Sequence, residues 1–151
     1  MIAFLILILV AGLILYAVVE SGQKNRGGKR SHRPVASSRG ARGFVDPVET
    51  TARWQTIMAT SATGASGLKS SINEADKLLD HTLKTLGYSG DTMGERLRAA
   101  GSRFSNRNNV WRAHKLRNAL AHEVGFDLVP GQAKEALADF EQSLKDLGAL
   151  S

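Results

Sequence analysis

The chain of 151 residues contains no cysteine. That absence excludes a disulfide framework and any thiolate metal site, and it suits a reducing compartment. Charge is missing from one long stretch, Ile2 to Val19, which reads IAFLILILVAGLILYAVV and also lacks Asn, Gln and Pro. No Lys or Arg precedes this stretch, and no acidic residue lies between Ser21 and Phe44. Nowhere does the chain show the period-two alternation of a half-buried strand, and it has no internal repeat, so the sequence predicts an all-α fold. Gly64, Gly67 and Gly94 form no phosphate-loop pattern, which excludes a nucleoside triphosphatase of that type.

What is present begins with the apolar run. Eighteen residues at 1.5 Å rise span roughly 27 Å, close to the roughly 30 Å of bilayer hydrocarbon. Residues 1–20 are therefore expected to form a transmembrane anchor, with the bilayer contacted by residues 2–19. Tyr16 stands where a headgroup-level aromatic belongs. A cleaved signal peptide is the competing reading. It needs basic residues before the apolar stretch, whereas Met1 leads straight into Ile2, and Tyr16 to Gly22 is a poor cleavage site.

Seven basic residues follow the span: Lys24, Arg26, Lys29, Arg30, Arg33, Arg39 and Arg42. By the positive-inside rule the N-terminus lies outside and the rest of this single-pass cell-membrane protein in the cytoplasm. Residues 21–45 read as a flexible basic linker, too polar to offset the entropy of ordering. A coil of this length reaches roughly 25–30 Å. The net charge of +6 is concentrated there, because residues 44–151 hold thirteen basic and thirteen acidic side chains. The basic run is expected to meet anionic lipid headgroups, at about 1 kcal/mol per residue near the surface. RNA is the alternative polyanion.

Residues 46–151 read as a compact bundle of about five helices. Asp46 caps the first, with Pro47 at its first position and Glu49 placed to complete a capping box, and the helix runs through Trp54, Ile57 and Met58 to about Ala62. The second carries Leu68, Ile72, Ala75, Leu79, Leu83 and Leu86 at steps of three and four, and Gly87 ends it. Thr92 and Glu95 form a capping box for a short third helix ending near Ala100. Asn106 to Asn109 offer caps for a fourth from Val110 to Glu123. Pro130 opens the last, with the stripe Ala133, Ala136, Leu137, Phe140, Leu144 and Leu147, and Gly148 closes it. Domains of this size are often marginal, and burying a surface in a homodimer would add stability.

The chemistry candidates lie on the fourth helix. Ala113, Leu116, Leu120 and Val124 are its expected core side. His114, Asn118 and His122, four apart, are expected to line another face, with Arg117 beside them. Two of the chain's four histidines thus stand with an amide and a guanidinium on one helix edge. Glu74, Asp76, Asp80 and His81 are metal-ligating residue types, but their interleaving with Lys77 and Lys84 predicts a solvated face. Trp54 and Trp111 read as core rather than stacking platforms, and Met58 and Met93 as packing. No metal and no cofactor is implied.

The stretch Leu116-Arg117-Asn118-Ala119-Leu120-Ala121-His122 resembles the R-x(4–6)-H motif of HEPN domains (higher eukaryotes and prokaryotes nucleotide-binding), with a polar residue just after the Arg. The chain also resembles a family of small single-pass bacterial membrane proteins to which no activity is assigned. That likeness rests on Glu74-Ala75-Asp76-Lys77-Leu78-Leu79-Asp80, Gly87-Tyr88, Thr92-Met93-Gly94-Glu95-Arg96-Leu97, Val110 to Asn118 and Ala121-His122-Glu123. The HEPN resemblance implies an all-helical bundle. In many members it implies a metal-independent ribonuclease whose active site joins two motifs across a dimer.

Carried onto this chain, His122 is the base for the RNA 2′-hydroxyl, Arg117 the cation for phosphate oxygens, Asn118 an orienting group and His114 an accessory. Arg117 and His122 stand roughly 140° apart on an ideal helix, so one of them would have to come from the partner subunit or from a fraying last turn. The same residues equally suit structural hydrogen bonding or binding without turnover. Two function classes follow: a non-catalytic interaction module or scaffold at the membrane, and an endoribonuclease of toxin or defence type. The topology is directly testable. A reporter fused after Ser151 should be active only in the cytoplasm. Activity outside the membrane, or a soluble product lacking residues 1–20, contradicts the anchor.

Overall fold

The computed structural model describes residues 43–151, and the expected anchor and most of the expected linker lie outside them. The described residues form five α helices and no strand: α1 Pro47–Ser61, α2 Ala65–Thr85, α3 Met93–Ala99, α4 Arg107–His122 and α5 Pro130–Asp146. A 3₁₀ turn, Gly101–Arg103, follows α3. None of these helices is long and apolar enough to cross a membrane.

Local sequence sets the boundaries. The Asp46 side chain accepts hydrogen bonds from the amides of Val48 and Glu49, and Pro47 opens α1. Glu49 does not reach back to complete the box. Its carboxylate is taken by Arg53, one turn on, at 2.6 Å. The box expected at Thr92 and Glu95 is complete. Asn106 caps α4 by accepting from the Asn109 amide, so the helix begins three residues before Val110. Gly87 and Gly148 adopt φ of 78° and 73° just past the ends of α2 and α5, the left-handed conformation that glycine takes without steric penalty.

Helix α2 is the axis of the bundle. It packs against α1, α3, α4 and α5, and α5 packs in turn on α4. Its stripe Ile72, Ala75, Leu79 and Leu83 is fully buried, facing Leu97, Val110, Phe140 and Leu144, which are fully buried too. Gly67 explains how closely α1 approaches: a Cβ there would collide with the Thr60 carbonyl and the Thr63 hydroxyl. Ser71 donates its hydroxyl to the Ile57 carbonyl across the same contact at 2.8 Å.

The chain is docked before α1 begins. The Gly43 amide bonds the Thr85 carbonyl at 2.8 Å, and Val45 packs on the core, so the last residues assigned to the linker belong to the bundle. Two core expectations change. Val124 is fully exposed because α4 ends at His122 and Val124 falls in the following loop. Met58 is 41% exposed on the outer side of α1.

Candidate functional site

The site begins with an acid in the wrong place for a solvated face. Asp76 is 4% exposed. It stands four residues after Ile72 and three before Leu79, so helical geometry puts it in the buried stripe of α2 and overrides the polar neighbours Lys77 and Asp80. That corrects the solvated-face reading of this residue. An isolated carboxylate in such a position is costly, and burial is tolerated when donors surround it.

The donors come from α4. His114 Nδ1 lies 2.8 Å from Asp76 Oδ1, and Arg117 Nε lies 3.4 Å from Oδ2. Asn118 closes the circuit. Its Nδ2 lies 3.2 Å from His114 Nε2, and its Oδ1 accepts from Arg117 Nη1 at 3.2 Å. The spacing of i, i+3 and i+4 places Arg117 and Asn118, neighbours in sequence, on either side of the turn above His114. Asp76, His114, Asn118 and Arg117 thus form a closed ring across the α2–α4 contact.

The ring has a definite proton arrangement. A carboxylate only accepts, so His114 Nδ1 carries the hydrogen. Arg117 only donates, so Asn118 turns Oδ1 toward it and Nδ2 toward the imidazole. His114 Nε2 must then accept, which makes the ring neutral and fixes its tautomer. Trp111 steadies this imidazole edge-on, with ring centres 6.1 Å apart. Arg117 Nε is buried without a well-formed hydrogen bond, because its contact to Asp76 is long. The Arg117 side chain as a whole remains 27% exposed.

Beside the ring is a cleft of about 420 Å³ walled by α2, the start of α3 and α4. Arg117, Asn118 and His114 line it, as does Asp80. Asp80 binds the buried Arg96 through Oδ1 and Lys84 through Oδ2, both at 2.7 Å, which ties α3 to α2. Burial opposes its ionisation, but hydrogen bonds from Lys84 and Arg96, with their charges, outweigh it and hold the Asp80 carboxyl below its ordinary 3.8.

The structure therefore brings together His114, Arg117 and Asn118. His122 stands apart: it is the last residue of α4, exposed, and does not line the cleft. Among the described residues, no group of three or more His, Asp or Glu side chains is placed to hold a metal ion. Asp76 is the residue that motif reading missed. Two signals mark it, its stripe position in α2 and the two cationic or donor side chains on α4 that otherwise lack an acid.

Chemically, the ring spends its own groups. The His114 lone pair is engaged by Asn118, Arg117 is half engaged, and among the described residues no second group orients His122. Compared with known proteins, the chain matches no family, and no characterised protein or solved structure proved similar to it.

Removing Asp76 leaves Arg117 and His114 without their acid inside the bundle. Asp76→Ala should lower the unfolding free energy by about 3–5 kcal/mol, as breaking a buried ion pair does. His122→Ala should stay within about 0.5 kcal/mol of the parent. Urea unfolding of both variants measures the difference. Equal, small losses in both would show that the ring carries no stability.

Proposed function

We propose that the chain is a membrane-anchored, HEPN-like helical protein whose cytoplasmic bundle serves as a non-catalytic interaction module. One observation carries this reading: three of the four motif side chains bond one another and Asp76, while His122 lies outside their cleft. A general base needs a lone pair within reach of the proton it removes, and an oriented one. His114 has its lone pair occupied, and His122 has nothing to orient it. His114 and Arg117, two of the groups that the HEPN resemblance assigns to RNA chemistry, contact Asp76 and fasten α4 to α2. On this reading the apolar N-terminal run holds the bundle at the bilayer, with anionic headgroups contacted by the basic linker.

The ribonuclease reading has one observation in its favour. Arg117 and Asn118 line an open cleft on the helix that ends in the exposed His122, so a second copy could supply the missing partner. The two readings separate by assay. The wild-type chain should leave single-stranded RNA intact, with or without a metal chelator. Cleavage that survives the chelator and is lost in both Arg117→Ala and His122→Ala contradicts the module. Restored cleavage on mixing those two variants would establish a composite site. A loss of roughly 10²–10⁴ in rate in each single variant is the scale expected of a true base and phosphate cation.

A further inference from the structure

The ring Asp76–His114–Asn118–Arg117 admits one arrangement of hydrogens, and that arrangement responds to a proton. We propose that protonation of His114 releases Arg117 from Asn118, so that acidification frees the guanidinium into the cleft between α2, α3 and α4. The device needs only the ring and stands whether or not the cleft binds a partner.

The argument is a count of donors and acceptors. With His114 neutral, every contact pairs a donor with an acceptor. A second proton on the imidazole sits on Nε2, because Nδ1 already gives its hydrogen to Asp76 2.8 Å away. Nε2–H then faces the Asn118 Nδ2 hydrogens across 3.2 Å, two donors opposed. Turning the Asn118 amide by half a rotation offers Oδ1 to Nε2–H. The same turn puts Nδ2 against Arg117 Nη1, and Arg117 has no lone pair to accept. One conflict can be moved along the ring but not removed while Arg117 stays.

Arg117 is the member able to leave. Its side chain is 27% exposed, against 6% for that of Asp76 and 11% for that of His114. Its remaining hold is the 3.4 Å contact to Asp76, longer than a good charge-assisted hydrogen bond. The charges around His114 leave this outcome open to it. From α2 come Asp76, Lys77 and Asp80, and Asp80 is already bound by Lys84 and Arg96. From α4 come Arg117 and the uncharged Trp111 and Asn118. The start of α3 contributes Thr92, Met93 and Gly94, none of them charged, and Arg96 of α3 is held by Asp80. On α5, Asp139 is taken by Arg112 at 2.7 Å. Among the described residues that face His114, no other acid is free to receive the imidazolium, so the proton must be accommodated within the ring.

The test is a nuclear magnetic resonance titration of the ¹⁵N-labelled full chain in detergent micelles, from about pH 8 to pH 5, where histidine changes charge. The four histidines are told apart by single substitutions to Gln. At the alkaline end His114 should be the neutral tautomer with hydrogen on Nδ1. On acidification the Arg117 Nε–H signal should shift with the same midpoint as the His114 ring. In Asn118→Asp, position 118 becomes a pure acceptor, so an imidazole with hydrogen on both nitrogens and Arg117 are satisfied together, and the Arg117 signal should hold one position across the range. Hydrogen on Nε2 at the alkaline end overturns the proposal, as does an Arg117 signal that ignores His114. So does an Arg117 transition that persists in Asn118→Asp. If that variant fails to fold, the wild-type tautomer and the shared midpoint decide alone.

Discussion

The bundle depends on a carboxylate that is almost wholly buried. Asp76 sits in the apolar stripe of the helix that every other helix touches, and its charge has to be met from across the α2–α4 contact. Meeting it dictates α4: His114 must donate from Nδ1, Arg117 must lie one turn on, and Asn118 must bridge them. These are the residues in which a sequence reading sees catalytic chemistry. In the fold, their first obligation is to one another. A buried network of this kind is costly when incomplete and specific when complete, because only one alignment of the two helices satisfies all four side chains.

The same device recurs at the other helix contacts. Arg96 of α3 is buried on Asp80 of α2, Arg112 of α4 reaches Asp139 of α5, and Asp146 of α5 accepts from the Ser105 amide and hydroxyl after the 3₁₀ turn. Burial works against ionisation of Asp146, but those Ser105 bonds and one from Gln142 prevail and keep its carboxyl below 3.8. Four acids on two helices thus fasten four contacts. Residues 44–151 carry equal numbers of basic and acidic side chains, and many of these charges are paired internally. The surplus of +6 falls to the residues preceding the bundle.

Much of this was legible from local rules. The stripes of α2 and α5, the Thr92–Glu95 box and the helix-ending Gly87 and Gly148 all follow from periodicity and capping, which act over a few residues. The site was legible only in part. His114, Arg117 and Asn118 stood out because three polar groups share one helix edge. Their partner Asp76 did not, because its neighbours Lys77 and Asp80 make the local pattern look solvated and the deciding contact is 38 residues away in sequence. Glu49 illustrates the same limit on a small scale: a capping box and an i,i+4 ion pair compete for one carboxylate, and Arg53 took it. His122 matched a motif by spacing alone, and spacing does not say where a helix ends.

The central claim is that the four side chains act as one unit rather than as separate contacts. A double-mutant cycle between Asp76→Ala and Asn118→Ala tests it, because these two meet only through His114 and Arg117. Unfolding free energies of the parent, both single variants and the double variant, read from urea titrations of the full chain, give the coupling. The ring predicts a coupling above about 0.5 kcal/mol, with the double variant losing less than the two single losses combined. Losses that add to within about 0.3 kcal/mol would contradict it, and would leave Asp76–His114 as an isolated pair beside an unrelated amide.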